Sequence, residues 1–121
     1  MARTTDARDK AIETAALLFR VQGYAATGLS QIIEESGAPK GSFYFHFPGG
    51  KRELALDVLD AYRARTSAGF RALAKKAAGD GDRFVQLLAR ALAEEMKASG
   101  WTAGCLAQSF AQELAPRDGE I

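Results

Sequence analysis

Pro39-Lys40-Gly41-Ser42-Phe43-Tyr44-Phe45-His46-Phe47 is the stretch whose reading decides the fold of this 121-residue chain. Pro39 suits the first turn of a helix, where a missing N–H costs no hydrogen bond, and Pro48-Gly49-Gly50 stops that helix. At about 100° per residue, Phe43 and Phe47 fall together and face a core. Gly41, Ser42 and Phe45 then occupy the opposite arc, with Lys40 and Tyr44 on one flank and His46 on the other. A large ring directed at water gains nothing in a helix that only packs. In a DNA major groove, Phe45 lies against a thymine methyl, Gly41 lets the backbone approach, and Ser42 reaches a base edge or a phosphate. Lys40, Tyr44 and His46 have the lengths to hold phosphates beside the groove. Lys51 adds a cation at the next helix start, where free N–H groups also attract phosphate.

Upstream, Ile12, Ala15, Ala16 and Phe19 show the i, i+3, i+4, i+7 spacing of one buried helical stripe. Thr5 or Asp6 is the expected cap at its start, and Gly23 the left-handed cap at its end. Thr27 is the expected N-cap of a short second helix with Leu29, Ile32 and Ile33 on its apolar face, ended by Gly37. Two short helices joined by a tight glycine turn over residues 27–47 form a helix-turn-helix. The plainer alternative is a helical hairpin that merely packs.

Downstream, residues 52–76 read as a long amphipathic helix burying Leu54, Val58, Leu59, Tyr62, Phe70 and Leu73. Gly79-Asp80-Gly81 breaks it, and Asp82 is the expected cap of a helix carrying Phe84, Leu87, Leu88, Ala91, Leu92 and Met96 at helical spacing. Ser99-Gly100 ends that helix, and a last one runs from about Gly104 to Pro116. No strand, repeat or low-complexity segment is legible. The fold class is all-α, with a DNA-binding unit over 1–50 and a helical part over 51–121.

Charge does not announce nucleic acid. The chain holds 16 basic and 15 acidic side chains, a formal net charge of +1, where a nucleic-acid binder usually leaves a basic footprint. The DNA-binding reading therefore rests on motif geometry. One cysteine and one histidine exclude an intramolecular disulfide and an ordinary zinc ligand set, and no cofactor is indicated. No apolar run approaches the roughly 20 residues of a membrane span, and the N-terminus lacks the apolar core of a signal peptide. A soluble cytoplasmic protein is expected.

Gly23-Tyr24-Ala25-Ala26-Thr27, the 39–47 stretch and Lys51-Arg52-Glu53-Leu54 together resemble the DNA-binding domain of the TetR family, over roughly residues 8–60. The Lys-Gly-Ser-Phe-Tyr-x-His-Phe core is highly specific among helix-turn-helix proteins. The resemblance implies that Thr27, Ser30 and Gln31 also face DNA, and it places Lys40, Gly41, Ser42, Tyr44, His46 and Lys51 at contact positions. Two departures stand out. Pro48-Gly49-Gly50-Lys51 is one residue longer than the usual turn, and Gly28 replaces a commoner hydroxyl or β-branched residue. The family further implies a helical C-terminal domain that binds a small effector and forms a homodimer on a palindromic operator. This chain is shorter than usual for the family, so the last helices, which supply most of the dimer interface in relatives, are expected to be missing.

Cys105 carries two readings, a small buried residue at a helix start or a sensor thiol whose pKa the helix N-terminus lowers. The sequence Gly104-Cys105-Leu106 with Gln112-Glu113-Leu114 is similar to a family branch whose repressors respond to electrophiles or small unsaturated acids. Trp101 either lines an effector pocket or packs where the fifth and sixth helices meet. Tyr62, Phe70, Phe84, Met96 and Phe110 are core first and pocket wall second. The leading function is a ligand-released repressor. A module that pairs with a full-length relative is the alternative. An enzyme ranks last, since no base, oxyanion donors or phosphate loop accompanies the thiol, and no catalytic residue is assigned.

Overall fold

The computed structural model describes residues 2–121, with side chains from Asp6 onward. Six helices make up its regular structure: α1 (Ala2–Gln22), α2 (Leu29–Ser36), α3 (Lys40–His46), α4 (Lys51–Ala77), α5 (Gly81–Ala98) and α6 (Leu106–Glu113). Among the described residues there is no strand.

The helix ends follow local chemistry, in places differently from expectation. α1 begins at Ala2, so Asp6 lies inside the helix and pairs with Lys10 at 3.4 Å instead of capping it. The side chain of Thr5 lies outside the described residues. Gly23 takes φ +88° and its N–H donates to Phe19 O at 2.9 Å, closing α1. The N-cap of α2 is Gly28, not Thr27, and no side chain caps it. Pro39 sits one position earlier than expected, as the N-cap of α3. Asp80, not Asp82, caps α5 by accepting the Arg83 N–H.

α1 is the centre of the fold and packs on α2, α3, α4 and α6. The core joins Phe19 of α1, Ile32 of α2, Phe43 and Phe47 of and after α3, and Leu54 and Val58 of α4, all at most 1% exposed. α6 closes it with Leu106 and Phe110. The rings of Phe19, Tyr24 and Phe110 stand 5.4–5.5 Å apart in a mutually tilted trio, an arrangement that adds to the burial of the rings themselves.

α5 packs on α4, and none of its residues is buried. The expected core stripe of α5 therefore stands partly open, with Leu92 and Met96 exposed. Phe70 of α4, expected in the core, is also exposed and meets Phe84 across the hairpin. No described helix is long and apolar enough to cross a membrane.

Candidate nucleic-acid interface

α3 has two faces of opposite character. Phe43 and Phe47 are buried with ring centroids 5.1 Å apart, and they pin the helix to α1. Phe45 is 77% exposed, the most open large apolar side chain of the described residues. Lys40, Gly41 and Tyr44 are exposed beside it, and Ser42 and His46 are half-buried. The Tyr44 ring meets Phe43 edge-on and His46 meets Phe45 in the same way. Six residues singled out from the sequence thus share one accessible surface, and their protruding parts are a hydroxyl, a phenol, an imidazole, an ammonium and an apolar ring.

The other expected DNA-facing residues are placed differently. Ser30 is exposed on α2. Gln31 is half-buried and engaged on both sides, exchanging hydrogen bonds with Gln22 at 3.1 Å and donating to Glu35 at 2.7 Å. Thr27 does not present its side chain outward. It is fully buried, and its hydroxyl donates to Gly23 O at 2.7 Å while accepting from Gln22 Nε2 at 3.2 Å. A buried hydroxyl needs such partners, so Thr27 fastens the α1–α2 turn from within. Lys51 opens α4 with its Nζ 4.0 Å above the Tyr24 ring, a favourable cation–π position. Partial burial there lowers its pKa, an effect opposed by the nearby Glu113 carboxylate.

Sequence reasoning missed two tethers on this region. Glu113 of α6 accepts the backbone N–H groups of Tyr24 at 2.9 Å and Ala25 at 2.7 Å. Arg52, next to Lys51, donates through Nε and a terminal nitrogen to the two Asp118 oxygens at 2.9 Å, and to Glu120 at 2.7 Å. Those hydrogen bonds raise the Arg52 pKa and lower that of Asp118. Nothing in a sequence pattern marks either contact, since the partners stand 66–89 positions apart.

A second feature is lined by no residue of α2 or α3. A cavity of about 520 Å³ opens between α1, α4 and α5, walled by residues such as Ile12, Leu17, Tyr62, Phe70, Leu88 and Leu92. Tyr62 lines it, and Cys105, next to the lining residue Leu106, comes within 3.5 Å of the Tyr62 Oη through its Sγ; both were marked from the sequence. Cys105 is exposed rather than buried and is the N-cap of α6. Its thiol pKa is lowered, first by the Tyr62 hydrogen bond, then by the Gln108 N–H, with burial opposing. The same hydrogen bond raises the Tyr62 pKa. Trp101 does not line the cavity. It stands 65% exposed in the turn after α5 with φ +67°. Among the described residues, no group of three or more His, Cys, Asp or Glu side chains is placed to hold a metal ion.

Residues 11–58 match the family model described as bacterial regulatory proteins, tetR family. The chain is 58% identical over 55 residues to the HTH-type transcriptional regulator LmrA of Bacillus subtilis (strain 168), covering 46% of this chain and 29% of that protein. It is 59% identical over 54 residues to an uncharacterized HTH-type transcriptional regulator, YxaF, of the same organism, covering 45% and 28%. A longer match, 31% identical over 97 residues, is to the transcriptional regulator AcuR of Cereibacter sphaeroides and covers 77% of this chain and 42% of that protein. The chain spans less than half the length of each.

Proposed function

The chain belongs to the tetR family of bacterial regulatory proteins, and from that premise we propose that it is a sequence-specific DNA-binding transcriptional regulator. It acts in the cytoplasm as a homodimer that represses from a palindromic operator, and a small effector releases it. Residues 1–50 read DNA, and residues 51–121 carry the effector and dimerisation functions. It turns over no substrate. The observation that carries this reading is Phe45, 77% exposed on a helix anchored by Phe43 and Phe47 on its other face. Phe45 and Gly41 enter the major groove, Ser42 reaches a base edge or a phosphate, and Lys40, Tyr44, His46 and Lys51 hold phosphates. Ser30 adds a contact from α2. Gln31 joins them by exchanging its intramolecular partners, and Thr27 acts indirectly by fixing the turn.

The effector enters the cavity between α1, α4 and α5. An electrophile is the class that the Tyr62–Cys105 pair favours. The Cys105 thiolate adds to the β-carbon of an unsaturated carbonyl, a C–S bond replaces the carbon–carbon π bond, and the α-carbon takes its proton from water. Release follows from different effector affinity in the DNA-bound and free arrangements, with α4 as the lever joining the two parts. Fluorescence anisotropy against palindromic DNA selected from a random pool tests the reading, with Tyr44→Ala as control and salt varied. Tight selective binding, a steep salt slope and loss in the variant are expected. Weak binding indifferent to sequence would overturn it.

The open apolar face of α5, with Val85, Leu92 and Met96 exposed, supports a second reading, a module that pairs with a longer relative. Sedimentation separates the two: a self-dimer is expected of the repressor, and a monomer that binds only such a relative is expected of the module.

A further inference from the structure

The turn after α1 is shaped to receive a carboxylate. Gly23 at φ +88° turns the chain so that two successive N–H groups, of Tyr24 and Ala25, point to one spot, the concave arrangement of backbone donors that binds anions. Glu113 fills it with both oxygens, one per N–H. A neutral side chain would do for ordinary packing. A carboxylate makes the bonds charge-assisted and about twice as strong. Above the same turn, the Tyr24 ring carries Lys51 Nζ on its face and meets Phe110 of α6 on its edge. The other end of α6 begins at Cys105, against Tyr62 of α4, and Gly104 donates to Arg20 O at 3.3 Å and accepts from Arg20 Nε at 3.0 Å. A helix of eight residues therefore spans from the edge of the cavity to the turn that leads into the helix-turn-helix.

We propose that Glu113 is the positioning residue through which α6 sets the placement of the helix-turn-helix. The inference rests on the DNA-binding function proposed above and adds a second joint to α4. While the carboxylate holds Tyr24 and Ala25, the turn, Thr27 inside it and the Lys51 ammonium above it keep one arrangement relative to α3. A shift of α6 at its Cys105 end withdraws the carboxylate and frees the turn.

The test uses the whole chain. Glu113→Gln keeps the size of the side chain but offers one acceptor where two are needed. Asp80→Ala is the control, because it removes the α5 cap away from the DNA-facing surface. Binding is read on DNA selected by the wild-type chain, and amide exchange and chemical shifts by NMR. Glu113→Gln is expected to weaken selective binding about tenfold, to speed exchange of the Tyr24 and Ala25 amides and to shift the Gly41–His46 amides. Asp80→Ala should leave all three within twofold or unmoved, so lost stability alone does not mimic the effect. Wild-type affinity in Glu113→Gln, or unmoved Gly41–His46 amides, overturns the joint and leaves the function standing. If the wild-type chain selects no DNA, the proposed function fails, and the amides of residues 24, 25 and 41–46 still decide whether Glu113 positions the unit.

Discussion

Tyr62 Oη lies 3.5 Å from Cys105 Sγ, which ties the middle of α4 to the N-cap of α6 across 43 residues of chain. The hydrogen bond stabilises the thiolate and lowers the Cys105 pKa, while it raises that of Tyr62. A lowered thiol pKa enlarges the thiolate fraction on the acid side of the ordinary cysteine range. The alkylation rate with iodoacetamide should thus rise at lower pH than for a free cysteine. In Tyr62→Phe the largest lowering influence is gone, and the midpoint of the rate profile should move up. An unchanged midpoint would show that the phenol does not act on the sulfur.

Phe43 and Phe45 sit two positions apart, 1% and 77% exposed, and their truncations should separate stability from recognition. Phe43→Ala empties part of the core and is expected to cost about 3–5 kcal/mol in urea unfolding. Phe45→Ala should stay within about 0.5 kcal/mol of wild type. In binding the order reverses. Phe45→Ala, still folded, should lose discrimination at one thymine position, by no more than the about 1–3 kcal/mol that a mismatched base pair costs. Equal unfolding free energies for the two variants would contradict the burial of Phe43.

This two-faced helix was legible because it depends on local periodicity and two glycine-bearing turns. The same logic marked the stripe of α5, yet none of it is buried. A period of 3.6 identifies an apolar face but not what covers it. Thr27 is the expected N-cap because threonine often serves there, and its DNA-facing placement is what the resemblance implies. Here the hydroxyl finds Gly23 O instead, and Gly28 takes the N-cap position before Leu29. The tethers of Glu113 and Arg52 escaped altogether, since a lone carboxylate far along the chain carries no signal until folding brings its donors near.

The contrast between α4 and α5 gives a third expectation. Leu54 is fully buried and Leu92 is 55% exposed, although both occupy helical stripes. Leu54→Ala should cost about 2–5 kcal/mol, whereas Leu92→Ala should cost under about 1 kcal/mol in the monomer. A concentration-dependent loss of stability confined to Leu92→Ala would mean that a second molecule covers the α5 face.

Two backbone positions with positive φ should respond in opposite senses. Gly23 at φ +88° would put an added Cβ in ordinary contact with Glu113, 3.8 Å from its nearer oxygen, so space is not the obstacle. The obstacle is the left-handed backbone, which a Cβ disfavours by about 1–2 kcal/mol, and Gly23→Ala should fall in stability by that amount. Ala78 already bears this strain, at φ +51° as the cap of α4. Ala78→Gly removes it, although glycine also gains freedom in the unfolded chain. The net effect should be a gain of a few tenths to about 1 kcal/mol. Thermal unfolding of the two variants checks the pair: Tm should drop for Gly23→Ala and rise for Ala78→Gly. A drop in both would mean that the α4–α5 turn does not hold Ala78 in the left-handed region in solution.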